Sequence, residues 1–287
     1  MAKPILKFEN VSLSYDGKLV LDQINLTVNE GDTFILLGAA GSGKTVLLKL
    51  AMSLIQADTG RIELLGHDIT HLKETELFGI RSEVGVLFQE GGLFDSLNIA
   101  DNVAYPLRNQ KSLAAPEDEI AARVLESLEF VELGHTLDKF PSELSGGMRR
   151  RVGIARANVT NPKISLYDSP TAGLDPITAH TIMSLIVKQR ELRKTTTVLA
   201  THRYQDGAMA ANYHWNNAMH DVVRASPYGT YADLNTTFIV MDEGRIVFSG
   251  TQQQLEASRD PYVSQFVLHQ PPPKLGQSGE RGHQLPA

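Results

Sequence analysis

The sequence predicts an α/β fold in which buried parallel strands alternate with helices, behind an antiparallel N-terminal β subdomain and around an inserted α-helical subdomain. Three observations predict it. Residues 32–37 form a compact apolar run that ends in glycine and passes into a segment of helical spacing. Two later apolar runs, Ile164–Tyr167 and Thr196–Ala200, enclose a helical segment, Ile177–Arg193, the pattern of parallel strands covered on both faces. Near the N-terminus, Ile5–Ser14 and Lys18–Val28 carry alternating or β-branched apolar residues on either side of an Asp16-Gly17 turn.

Taken in order, the two N-terminal strands lead to the strand Asp32–Leu37 and a helix over Lys44–Leu54, with Val46, Leu47, Leu50, Ala51 and Leu54 as its apolar positions. The middle, about residues 90–159, reads as mostly helical. Glu117–Leu133 is amphipathic, and Ser145 begins a helix that carries Arg149, Arg150, Arg151 and Arg156. After the two β/α units, Thr237–Asp242 and Arg245–Phe248 form a closing hairpin around Glu243-Gly244. A short helix, Gln252–Ser258, then leads to a tail in which Pro271-Pro272-Pro273 and polar residues predict disorder.

With 287 residues and 42% hydrophobic content, the chain can bury this core without staples. It has no cysteine, which excludes disulfides, zinc-thiolate sites and thiol catalysis. A net charge of -6 argues against broad attraction to nucleic acid. No segment approaches the roughly 18 apolar residues that span a bilayer, and the N-terminus lacks the apolar core of a secretory signal. The expectation is a soluble cytoplasmic protein whose membrane role, if any, comes through a partner.

The strongest chemical signal is Gly38-Ala39-Ala40-Gly41-Ser42-Gly43-Lys44-Thr45, a complete phosphate-loop pattern between a strand and a helix. Its glycines let successive N–H groups face an anion, and the following helix adds its dipole. Lys44 would reach the β- and γ-phosphates of a nucleotide, and Thr45 would ligate magnesium. Asp168, closing an apolar strand, is the matching carboxylate for magnesium. On its own such an aspartate is commonplace; downstream of a phosphate loop it gains meaning. Leu144-Ser145-Gly146-Gly147-Met148 is a serine-glycine turn opening a helix, either a second anion site or a plain helix cap.

In this order and spacing the motifs resemble those of ABC ATPases, over about residues 4–250. The resemblance implies a phosphate-loop NTPase with a RecA-like core of the ABC type, its helical subdomain at about 90–159, and residues 251–287 as a C-terminal helix and tail. It implies ATP and magnesium as cofactors, with Gly38–Thr45 and Val46 around the phosphates. Tyr15 resembles the aromatic that stacks on adenine. Gln89 looks like the glutamine that senses magnesium and the attacking water. His202 looks like the switch histidine at the γ-phosphate, and Asp175 lies in a loop that communicates across a dimer. Ser145, Gly146, Gly147 and Met148 match the signature turn, usually ending in glutamine, which binds the γ-phosphate of ATP held by the other subunit of a two-fold dimer.

Two departures stand out. Where the family has a glutamate that polarises the attacking water, this chain has Ser169, whose hydroxyl is too weakly acidic to act as a base near neutral pH. Three outcomes are open: slower hydrolysis through Gln89, His202 and positioning, a stand-in carboxylate such as Glu90 or Asp206, or a degenerate site paired with a competent subunit. The expectation is ATPase activity, ordinary or reduced by Ser169. The second departure is an insertion at about 204–236, with Tyr213, Trp215, Tyr228 and Tyr231, read as a packed elaboration or a docking element.

The segment from Gly91 to Arg108, containing Leu93-Phe94-Asp95-Ser96-Leu97 and Asn102-Val103-Ala104-Tyr105-Pro106-Leu107-Arg108, is similar to that of MCE-type (Mla-like) lipid-transporter ATPases. Met148 and Asp260–Phe266 point the same way. This resemblance implies a homodimer, membrane permease subunits, an MCE-type substrate-binding protein reached through the complex, and a peripheral place on the cytoplasmic face of the inner membrane. A polar-solute importer is the alternative among transporters, and a non-hydrolysing nucleotide-binding regulator the alternative outside them. A single cassette argues against a ribosome-acting protein, and the short distance from Gln89 to Ser145 leaves no room for a DNA-repair coiled coil.

Overall fold

The computed structural model describes residues 3–89, 91–110, 115–226, 230, 232 and 235–268. Glu90, Tyr228, Tyr231 and the proline-rich tail lie outside the described residues.

Strands β1 (Pro4–Tyr15) and β2 (Lys18–Asn29) form the expected hairpin, and Asp16 and Gly17 both adopt positive φ (50° and 77°), the backbone that a tight two-residue turn requires. Strand β3 (Thr33–Leu37) is buried along its whole length, and helix α1 (Lys44–Ala51) follows the glycine loop. That helix stops short of Leu54, because Ser53 turns left-handed (φ 51°) and leaves Leu54 exposed.

The chain then returns to the first sheet through β4 (Thr59–Leu64) and β5 (His67–Asp68), giving the antiparallel order β2-β1-β4-β5. Helix α2 (Glu74–Arg81) and strand β6 (Val84–Leu87) complete this part. The helical middle contains α3 (Ile99–Asn109), α4 (Glu117–Phe130) and α5 (Gly146–Asn158). Helix α4 ends before Leu133 because Glu132 is left-handed (φ 61°).

Strand β7 (Ile164–Asp168), helix α6 (Pro176–Arg193) and strand β8 (Thr196–Thr201) supply the next units, followed by α7 (Tyr204–Asn212) and the hairpin β9 (Tyr213–Asn216)–β10 (Asp221–Arg224). Strands β11 (Thr236–Asp242) and β12 (Arg245–Gly250) then close the second sheet, with order β12-β11-β3-β8-β7-β6. Its neighbours are parallel except β12, which turns back at Glu243-Gly244. Helices α8 (Gln252–Glu256) and α9 (Pro261–Leu268) end the described chain.

Alternation along β3 divides the core. Ile35 and Leu37 pack with Val103, Leu128, Ile154 and Ile186 of the helical side, while Phe34 and Leu36 pack with Leu47 of α1 and Val11 and Leu21 of the first sheet. A strand apolar on both faces is what a sheet covered on both sides demands. The described part of residues 204–236 packs on α6: buried Arg190 donates to the carbonyls of Ala210 (2.5 Å) and Tyr213 (3.0 Å). The Lys188 ammonium lies over the rings of Phe130 and Trp215, at 4.2 and 4.7 Å from their centroids. No helix among the described residues is long and apolar enough to cross a membrane.

Candidate functional site

The glycine loop leaves β3 at its C-terminal end and wraps over the start of α1. Gly41 and Gly43 hold positive φ (81° and 103°), a backbone most side chains resist. A Cβ on Gly43 would fall 2.7 Å from Leu21 Cδ2, and one on Gly38 2.6 Å from the Met241 carbonyl oxygen. Conformation and crowding therefore both select glycine here. The buried Lys44 ammonium donates to the carbonyls of Gly38 (2.7 Å) and Ala39 (2.8 Å) and to Ser42 Oγ (3.2 Å). Burial lowers its pKa from the ordinary lysine value, and the Asp168 carboxylate opposes that shift.

A cavity of about 690 Å³ opens beside this loop. It brings together Ala39, Ala40, Gly41 and Gly43–Val46 with Gln89, Ser169 and His202, residues from four separate chain segments. Gly38 and Ser42 are buried. Asp168 is buried at the end of β7, where its Oδ1 accepts from the Ser169 hydroxyl at 3.1 Å. Ser169 itself is left-handed (φ 50°), and its N–H donates to the Ala200 carbonyl at 2.8 Å.

The donor set fits a magnesium nucleotide. The loop offers a cradle that side chains would fill, a buried ammonium, a threonine hydroxyl at the cavity wall and a buried carboxylate coupled electrostatically to the lysine.

The serine-glycine turn lies elsewhere. Ser145 caps α5, its Oγ accepting from the Met148 N–H at 3.2 Å, a helix start that both readings of the turn share. Gly147 admits the close approach of α6, since a Cβ there would sit 2.5 Å from Thr178 Cγ2. Gly146, Arg149 and Arg150 face a second cavity of about 600 Å³, which Gln89 and Ala172 share with the first. Ser145, Gly146, Gly147 and Met148 do not line the phosphate cavity of their own chain.

Asp175 caps α6, accepting from the N–H groups of Ile177 and Thr178 (both 3.0 Å) and from the Thr178 hydroxyl (2.6 Å), which holds its carboxyl below the ordinary range. Tyr15 is 46% exposed at the tip of the first hairpin and outside the cavity lining.

Three contributors take roles that the motifs did not assign. Val20, on β2, forms part of the cavity wall. Arg150 donates to the carbonyls of Ser169 (2.8 Å), Pro170 (2.9 Å) and Ala172 (3.3 Å). Asp206 is buried and accepts from the hydroxyls of Thr171 (2.5 Å) and Thr201 (2.8 Å), joining the loop after Ser169 to the strand before His202. It clamps the loop behind the site and does not line the cavity.

A parallel-stranded core, a glycine loop over a buried lysine and a carboxylate at the end of β7 define a phosphate-loop ATPase. The chain belongs to the ABC transporter family, whose sequence profile matches residues 21–172. It is similar, at 33% identity over 93% of its length and 91% of the relative's, to the intermembrane phospholipid transport system ATP-binding protein MlaF of Haemophilus influenzae. It is also similar to the methionine import ATP-binding protein MetN of Bifidobacterium longum, at 39% identity over 71% of this chain and 52% of that one. A dimeric ATP-binding cassette solved in a post-hydrolysis state with ADP and phosphate superposes with a TM-score of 0.72 at 28% identity, covering 86% of this chain and 98% of the other. The protein is an ATP-binding, ATP-hydrolysing cassette of the ABC transporter type.

Proposed function

We propose that this chain is the motor subunit of a phospholipid transporter of the MCE type, a homodimer docked under a membrane permease at the cytoplasmic face of the inner membrane. The observation that carries the proposal is coverage. The MlaF relatives of Haemophilus influenzae and Escherichia coli match 93% and 92% of the chain, whereas the MetN relative, despite higher identity, stops at 71%.

An exposed aromatic surface beside Gln89 supports it. Phe94 and Tyr105 are both exposed, with ring centroids 4.6 Å apart, and the Arg156 guanidinium lies 5.6 Å from the Phe94 centroid. With Phe88 they line a groove of about 300 Å³, suited to an amphipathic helix of a permease.

In this reading the amides of the loop from Ala40 to Val46 and the Lys44 ammonium hold the phosphates, and Tyr15 stacks on the adenine. Thr45, Asp168 and Gln89 hold magnesium, which neutralises phosphate charge when bound. His202 contacts the γ-phosphate, and Gln89 orients water. The Ser145–Met148 turn of a second copy closes the site, with Asp175 in the loop facing that copy. The position of the turn outside its own chain's phosphate cavity favours this two-chain arrangement. Reaching the membrane lipid requires the permease and, through it, an MCE-type binding protein; nucleic acid has no part.

Co-purification from membranes with a polytopic permease, followed by ATP-dependent transfer of labelled phospholipid to an MCE protein, tests the proposal. ATP turnover stimulated by an amino acid, with no lipid movement, would instead make the protein a polar-solute importer. A second reading follows from Ser169 at the cavity wall: a nucleotide-binding subunit with little turnover of its own. Restoration of fast turnover by Ser169→Glu only, from a native rate near zero, would favour it.

A further inference from the structure

The phosphate loop has a hydrogen-bond partner far outside the segment that defines the family. Helix α9 brings the Tyr262 hydroxyl to the loop entrance, where it accepts from the Ala39 N–H at 3.3 Å and donates to the Met241 carbonyl at 3.1 Å. The same residue is held from its other end, because the Ala39 carbonyl accepts from Lys44 Nζ at 2.8 Å. The loop entrance is therefore fastened at its N–H by the C-terminal helix and at its C=O by the phosphate-binding lysine.

We infer that Tyr262 is a positioning residue of the nucleotide site, which keeps the Ala39 backbone in its phosphate-receiving shape when Lys44 exchanges that carbonyl for a phosphate. The helix that carries it is independently anchored. Leu255 and Val263 are buried in the core, and the Asp260 carboxylate accepts from the N–H groups of Tyr262 (2.9 Å) and Val263 (3.0 Å). Helix α8 is tied to α7 by Gln252, which donates to the Tyr204 hydroxyl at 2.6 Å and accepts from Asn212 at 2.5 Å.

The hydroxyl is aimed by its ring, which packs edge-on against Phe266 at 5.4 Å between centroids. Ala39 is itself exposed, so without the phenol its N–H would face water and the entrance would be held by the lysine alone. Met241, the acceptor for the phenol, lies against Gly38, so one hydroxyl joins the end of β11 to the first turn of the loop. Burial holds the phenol above its ordinary pKa and keeps it a donor.

The test is Tyr262→Phe in the full chain, which removes the hydroxyl and retains the ring against Phe266. ATP Kd should rise about fivefold, the size of one net hydrogen bond. Turnover at saturating ATP should stay within about twofold of native, the signature of lost positioning for binding and not of lost chemistry. Exchange of the Ala39 amide with deuterium should accelerate in the nucleotide-free variant. An unchanged Kd overturns the inference, whether or not Ala39 exchange accelerates. So does a fall in melting temperature with ATP affinity and turnover lowered together, which would make Tyr262 a packing residue only.

Discussion

The guanidinium of Arg150, one turn into the helix that Ser145 caps, donates to the carbonyl oxygen of Ser169 at 2.8 Å. It also holds the carbonyls of Pro170 and Ala172, so a buried cation shapes the loop that carries the most unusual residue of the site. Arg150→Met would leave these acceptors without their donor. A stability loss of about 3 kcal/mol is expected, readable as a lower melting temperature. Turnover should fall about tenfold or more with ATP affinity nearly unchanged, because the phosphate loop is untouched.

Ser169→Glu should raise ATP turnover by about a hundredfold, the lower end of what a positioned general base contributes. The serine already occupies the left-handed region (φ 50°), a conformation that costs about 1 kcal/mol, so the longer side chain adds no backbone strain. Phosphate release at saturating ATP measures it. No increase would mean that a different group already activates the water.

Gly147→Ala should destabilise the protein even though alanine is the better helix former. The intrinsic gain is about 1 kcal/mol, against roughly 1–3 kcal/mol for a methyl forced against a packed neighbour. The obstacle is Thr178 Cγ2, 2.5 Å from the new Cβ. Adding Thr178→Ser removes that methyl and preserves the hydroxyl bonded to Asp175, so the double variant should regain most of the lost melting temperature.

Asp206 gives the fold a pH dependence of definite sign. Burial raises its pKa, opposed by the hydroxyls of Thr171 and Thr201 and by the charges of Arg203 and His202. The folded state therefore holds this proton more tightly than the unfolded chain does. Its contribution to stability is present below the ordinary aspartate value and is lost as pH rises to the raised one. Melting midpoints of native protein minus Asp206→Asn, followed across that window, should decline with rising pH and level off above it.

The phosphate loop was legible because its chemistry is local: glycines for the backbone, a lysine and a threonine at set positions. Arg149, Arg150 and Arg151 show where legibility ends. In sequence they are one basic run, yet they donate to Leu144, to the loop at Ser169 and to Val131 respectively, a division that only tertiary packing makes. Strand β5, two residues long, has no period to read, and β4 is recognisable mainly by its pairing with the distant β1. The ends of α1 and α4 were misread because Ser53 and Glu132, not glycines, take the left-handed turn. Tyr262 lies in a segment that the resemblance marks, yet nothing local ties it to the phosphate loop, since its partners lie 21 and 223 positions away.

The central claim is that each ATP site is built from two copies of this chain, the phosphate loop of one and the Ser145 turn of the other. Mixing two inactive variants, Lys44→Ala and Ser145→Arg, tests it most directly through ATP hydrolysis. Each alone disables both sites of its own dimer, whereas a mixed dimer has one site with an intact loop and an intact turn. Mixing should restore about a quarter of native turnover, since half of the dimers are mixed and half of their sites are whole. No recovery on mixing, or full activity of Ser145→Arg alone, would contradict the account.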